Sequence, residues 1–233
     1  GDVVINYTAA KSGLSTASED VGAPLALPVY VRPEVVREMK IMLDCLHLKR
    51  PASFEQAASW KPNLLLFGPP GSGKSTATWV FANLLFESGY RVLWMHYRRL
   101  KPMCLTLMEP TSGITRYSAA NLKQLETALQ RFQVDVVFLD GLTQKADDLS
   151  LQAVKLLAAW FEEDPARARR FFLVTSTQFQ IQFGIIEGLR LRVVGSVGWC
   201  FQELAAAVAS DEVFNAVRHN LVGMPFLARS RTL

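Results

Sequence analysis

The residues with the clearest chemical purpose are Gly68-Pro69-Pro70-Gly71-Ser72-Gly73-Lys74-Ser75, followed by Thr76. They satisfy the pattern G-x-x-x-x-G-K-[ST] at every fixed position. A triphosphate needs donors on several sides and no side chains in its way. Gly68, Gly71 and Gly73 let the backbone turn tightly and bring its N–H groups onto phosphate oxygens. The helix that follows adds the positive end of its dipole. In such a loop Lys74 reaches the β- and γ-phosphates, and the Ser75 hydroxyl takes one position on Mg²⁺. The spacing therefore predicts a phosphate cradle over residues 68–76, with ATP and Mg²⁺ as the cofactors. The bland alternative is a Gly/Pro-rich turn between a core strand and a core helix. It is disfavoured because the full pattern stands in a strand, loop, helix context.

Val134-Asp135-Val136-Val137-Phe138-Leu139-Asp140 supplies the second chemical landmark. An apolar strand ending in an acid is the Walker B pattern, and Asp140 is the expected Mg²⁺ partner beside Ser75. The alternative is a plain strand-end turn at Asp140-Gly141. Position 141 is glycine where many AAA+-like ATPases carry a water-orienting Glu. Asp147, Asp148 or Glu109 would have to substitute, or turnover would be slow.

Further along, Phe171-Phe172-Leu173-Val174 ends in Thr175-Ser176-Thr177-Gln178. Ser176 and Thr177 are candidate γ-phosphate sensors, with strand-end capping as the ordinary alternative. Arg190 is a candidate finger or second sensor. Its alternation with Arg192 fits equally a strand with arginines facing solvent. Arg167, Arg169 and Arg170 form a basic turn, ordinarily solvated. It could instead contact a neighbouring subunit's nucleotide or a nucleic acid.

These groups need elements to position them. Asn63–Phe67 reads as a buried strand before the loop, and Thr76–Phe86 as the helix after it. Pro33 to Lys49 predicts a helix with Val36, Met39, Met42, Leu43 and Leu46 on one face. Tyr30, Arg32 and Pro33 stand where a nucleotide base could pack, or simply where the chain packs. Arg91–Tyr97 reads as a strand. Cys104–Met108 and Gly113–Tyr117 flank a hairpin turn. Ser118 is a candidate cap for a helix over Asn121–Arg131. Leu149–Phe161 and segments of Trp199–Val217 show helical spacing. The predicted fold is a three-layer α/β P-loop NTPase with a mostly parallel central sheet and a small helical C-terminal part. Residues 1–24 read as an extended or poorly ordered lead-in, 25–195 as the core and 196–233 as a helical cap.

Composition sets outer bounds. The 233 residues are 50% hydrophobic and 20% charged, enough for one well-buried domain and against global disorder. Net charge is +4, with pI about 9.1. This mild basicity permits contact with nucleic acid without arguing for it. Cys45, Cys104 and Cys200 have no metal or CxxC spacing, which predicts a reducing, intracellular compartment. No apolar run is long enough for a bilayer, so no membrane partner is expected. ATP over GTP rests on the absence of an N-K-x-D segment.

The order of these pieces resembles a family. Tyr30-Val31-Arg32-Pro33, the phosphate loop, a hairpin, Val137-Phe138-Leu139-Asp140-Gly141, Ser176 at a strand tip and Gly198-Trp199-Cys200-Phe201-Gln202-Glu203-Leu204 are similar to the NTPase module of Crinkler effectors and retrotransposon-hot-spot proteins, relatives of AAA+ and STAND ATPases. The likeness spans about residues 25–220. Ser176-Thr177 departs from the Ser-Pro common in that family. The resemblance implies ATP hydrolysis by a module fused to a further effector domain. It also implies secretion into a host cell, action in the host nucleus, and work around DNA. A homo-oligomer is a further expectation.

Overall fold

The structure is a computed structural model. It describes residues 4–5, 29–30, 32–49, 51, 59–97, 102–142, 149–163, 169–176 and 188–209. In chain order the elements are β1 (Val4–Ile5), β2 (Val29–Tyr30), α1 (Pro33–His47), β3 (Asn63–Gly68), α2 (Lys74–Glu87), β4 (Val92–His96) and β5 (Met103–Glu109). Then follow β6 (Gly113–Ala119), α3 (Leu122–Phe132), β7 (Val136–Leu142), α4 (Leu149–Glu163), β8 (Arg170–Ser176), β9 (Leu191–Gly195) and α5 (Phe201–Ala209).

Seven strands form one sheet in the order β6-β5-β4-β7-β8-β3-β9. From β4 to β9 every pairing is parallel, and β5 and β6 add an antiparallel hairpin at one edge. β1 and β2 form a separate antiparallel pair. The mostly parallel α/β fold expected from the sequence is the fold observed.

Period-two alternation builds the layers. Leu64, Leu66, Trp94, Phe138 and Phe172 face Met42 of α1 and Trp79, Phe81 and Leu85 of α2. Leu65, Leu93, Val137, Leu139 and Phe171 face α3 and α4 through Leu125, Leu129, Val154, Leu157 and Trp160. On the α2 side, Trp94, Phe138 and Phe172 stand opposite one another on adjacent strands. Their rings lie 5.6 and 5.1 Å apart. Phe81 of α2 meets both phenylalanines edge-on, and Trp79 meets Trp94 at 5.0 Å. These aromatic contacts fix where α2 sits, and therefore where the loop ahead of it sits.

Three local expectations need correction. α1 buries Val35, Glu38, Met42, Cys45 and Leu46, leaving Val36 52% and Leu43 42% exposed. The buried face is rotated from the expected apolar stripe and takes in Glu38. The cap of α3 is Asn121, whose side chain accepts from the Gln124 amide at 3.0 Å; Ser118 lies inside β6. Glu109 ends β5 at the amino end of β4, since Val92 pairs with Met108. It is removed from any site at the opposite end. Among the described residues no helix is long and apolar enough to cross a membrane.

Candidate functional site

Strand register brings the chemistry to one end of the sheet. Gly68 stands opposite Ser176, and Asp140 opposite both Val174 and His96. This is the carboxyl end of the parallel strands, where open α/β sheets bind ligands.

The loop has the shape an anion needs. Gly71 and Gly73 have φ of +77° and +92°, and a Cβ on either would meet nothing within 4 Å. Gly73 caps α2 without any side-chain cap bond. The first intrahelical amide is that of Ala77, bonded to the Gly73 carbonyl at 2.8 Å. The amides of Lys74, Ser75 and Thr76 precede it in the orphan first turn. Pro70, Gly71, Gly73, Lys74, Ser75 and Thr76 line a cleft of about 420 Å³ together with Asp140, Gly141, Val174 and Thr175.

Lys74 is 7% exposed. Its ammonium donates to the carbonyls of Gly68 (2.9 Å) and Pro69 (2.8 Å) and to Ser72 Oγ (3.1 Å). Burial pulls its pKa below the usual lysine value, while Glu38 and Asp140 push it back up. Across the cleft, Ser75 Oγ donates to Asp140 Oδ1 at 2.8 Å. The second oxygen, Oδ2, lies 2.9 Å from His96 Nδ1. These donors fit Mg²⁺: a hydroxyl and a carboxylate offer hard oxygens on one side and leave the rest to phosphate and water. Among the described residues no group of three or more His, Cys, Asp or Glu is placed to hold a metal by itself.

Gly141 explains the missing acid. Its φ is +86°, and a Cβ there would lie 2.4 Å from the Tyr97 carbonyl oxygen. The Tyr97 amide in turn bonds the Asp140 carbonyl at 2.9 Å, and β7 shifts register against β8 at this point. The backbone path leaves no room for a Glu.

A segment that sequence reasoning only brushed against locks the loop from behind. Arg32 is 1% exposed. It donates to the carbonyls of Ser72 (2.8 Å) and Gly198 (3.0 Å) and to both Glu203 carboxylate oxygens (3.2 and 3.0 Å). Its guanidinium lies 4.6 Å from the centre of the Trp199 ring. Trp199 Nε1 donates to the Gly71 carbonyl (3.1 Å), Ser196 Oγ to Ser72 Oγ (3.2 Å) and the Ser196 amide to the Phe67 carbonyl (2.6 Å). A Cβ on Gly68 would lie 2.5 Å from the Ser196 carbonyl oxygen, which is why that first loop position is glycine. The boundary expected at 195/196 thus falls where the chain crosses the loop. Arg32 ties the loop to the strap over residues 196–203. The pattern Tyr30-Val31-Arg32-Pro33 marked the position but not the partners.

The remaining candidates separate. Ser176 ends β8 opposite Gly68, beside the loop. Thr177, Asp147, Asp148 and Arg167 lie outside the described residues. Arg190 is not brought to the loop: it precedes Leu191, which pairs with Asn63 at the far end of β3. Five residues of strand put that point about 16 Å from Gly68. Arg190 instead stacks 5.1 Å from the Trp60 ring and pairs with Glu162 at 3.5 Å. Arg170 lies at the same far end, its guanidinium bonded to the carbonyls of Cys45 (3.0 Å) and Leu48 (2.7 Å) at the end of α1. Arg169 packs 5.0 Å from the Trp160 ring. Neither forms an open phosphate-binding patch.

No family model matches the chain, so the Crinkler and retrotransposon-hot-spot resemblance rests on its motifs. Over 120 residues the chain is 30% identical to a protein of Sinorhizobium fredii assigned provisionally as an insertion-sequence ATP-binding protein. The match covers 50% of this chain and 34% of that protein, so the chain spans about a third of its relative. Among solved structures it is similar to C. elegans PCH-2, at 14% identity and TM-score 0.48, covering 90% of this chain and 52% of the other. It is also similar to AMPPCP-bound DnaA from Aquifex aeolicus, at 10% identity and TM-score 0.46, covering 86% and 65%. The DnaC helicase loader matches at 12% identity and TM-score 0.37, covering 71% and 92%.

Proposed function

We propose that the chain binds ATP with Mg²⁺ and hydrolyses it to ADP and phosphate. The observation that carries this reading is the 2.8 Å contact of Ser75 Oγ with Asp140 Oδ1 in a cleft also lined by the glycine loop and Lys74. Ser75 and Asp140 would hold Mg²⁺, which would supply positive charge against the phosphates. The chain's own groups supply the rest. Amides at the start of α2 bind phosphate oxygens. Lys74 turns from the Gly68 and Pro69 carbonyls toward the incoming anion, and Ser75 and Asp140 hold the metal. Ser176 and Thr177 are the proposed sensors of the terminal phosphate.

The insertion-sequence relative's ATP-binding assignment supports the choice of ATP. The Crinkler-like effector setting stays part of the proposal, on the motif order and the Trp199 segment. The test is steady-state phosphate release, with and without DNA. Lys74→Ala should lower turnover by roughly 10²–10³-fold, the usual cost of losing a preorganised charge at the transferring phosphate. Equal rates in wild type and variant would overturn the enzymatic reading. A second reading is a nucleotide-operated switch with little turnover. It is favoured by the backbone at Gly141, which excludes the usual water-orienting acid. Tight ATP binding with wild-type turnover no faster than that of Lys74→Ala would select it.

A further inference from the structure

In sequence His96 merely closes an apolar strand. In the fold it meets the proposed metal site. β4 runs parallel to β7 with His96 opposite Asp140, and the two side chains are 10% and 4% exposed. Nδ1 lies 2.9 Å from Oδ2, while Oδ1 takes the Ser75 hydroxyl. A carboxylate can only accept, so the hydrogen between the two belongs to Nδ1. His96 is not among the residues that line the cleft.

We propose that His96 is a positioning residue for the Mg²⁺ site. Rotation about the last bond of an aspartate is broad and weakly restrained. With Oδ2 tied to an imidazole set in the sheet, the carboxylate keeps Oδ1 turned toward Ser75 and the cleft. Carboxylates that hold metals are commonly oriented by such outer hydrogen bonds, and losing one lowers metal affinity about 10–100-fold. The inference rests on the ATP·Mg²⁺ reading above and names the group that keeps the metal-holding oxygen aimed.

The test follows binding of a fluorescent ATP analogue in EDTA and across a Mg²⁺ series, for wild type, His96→Phe, His96→Ala and His96→Asn. His96→Phe keeps a ring in the sheet and removes the donor; His96→Asn keeps an N–H donor. The Mg²⁺ midpoint should rise about 10–100-fold in His96→Phe and His96→Ala and return most of the way in His96→Asn. Binding in EDTA should be the same in all four, because the loop amides and Lys74 act without His96. Should His96→Ala fail to fold, the Phe and Asn pair decides. An unchanged midpoint in His96→Phe, or an equal loss with and without Mg²⁺, overturns the inference and leaves the ATP reading standing. Wild type that binds no analogue, or binds it indifferently to Mg²⁺, overturns both.

Discussion

Gly141 decides what can follow Asp140. Its backbone is left-handed, and the Tyr97 carbonyl occupies the space of any Cβ. Gly141→Ala should therefore cost about 2 kcal/mol or more through backbone strain alone. In a domain of this size that lowers the thermal midpoint by roughly 4–8 °C, checked by a melting scan. An unchanged midpoint would mean the bulge relaxes freely. Glu38 is a second residue with its own signature. It is 1% exposed, and neither oxygen reaches full hydrogen-bond geometry with a partner. Burial pushes its carboxyl above the ordinary 4.5, with Glu34 adding to the rise and Ser196, Arg37 and Arg32 opposing it. Between 4.5 and the raised value the folded protein thus keeps a proton there that the unfolded chain has released. Stability falls as pH climbs from 4.5 through the raised value, and the penalty is complete above it. Glu38→Gln should raise the melting midpoint at pH 7.5, with the gain shrinking as pH is lowered toward 4.5. A gap that ignores pH would refute the cause. At this scale the glycines, Lys74, Ser75 and Asp140 were legible because their chemistry dictates their spacing. His96 and Arg32 were not, because each acts through a partner far off in sequence; Glu38 was not, because its signature comes from burial against elements distant in the chain.

Among elements, α1 and the strap over residues 196–203 carry the most weight. Arg32 precedes α1 and reaches loop, strap and Glu203 with one planar fork, and this Arg32 bond is the main reason Glu203 sits below the usual carboxylate range. Arg32→Lys keeps the charge and loses the fork. It should cost about 1.5–3 kcal/mol, the worth of a hydrogen bond to a charged group, read from denaturant midpoints. A change within error would show that the strap holds without it. Strands and helices were largely readable: β3, β4, β7 and β8 are apolar runs between turn signals, and the β5–β6 hairpin was announced by its turn. The facing of α1 was not. Apolar residues surround that helix, and the inward Glu38 broke the stripe that periodicity would choose.

For the whole molecule, strand order decides which candidates can meet. Only the placement of β8 between β3 and β7 tells that Ser176 is near the loop, while Arg190 and Glu109 lie at the other end. Such order depends on crossovers that local pattern does not encode. A global readout of loading also follows. Trp199 bonds the Gly71 carbonyl, so adding ATP and Mg²⁺ should alter its fluorescence. Trp199→Phe should abolish that change while the other four tryptophans remain. A signal that survives the substitution would place the change elsewhere. The same crossing has a mechanical side. A pull applied at Ala209, where α5 ends, passes through Trp199 to the Gly71 carbonyl and through Glu203 and Arg32 to that of Ser72. The fold thus has the layout of a lever whose short arm rests on the phosphate loop.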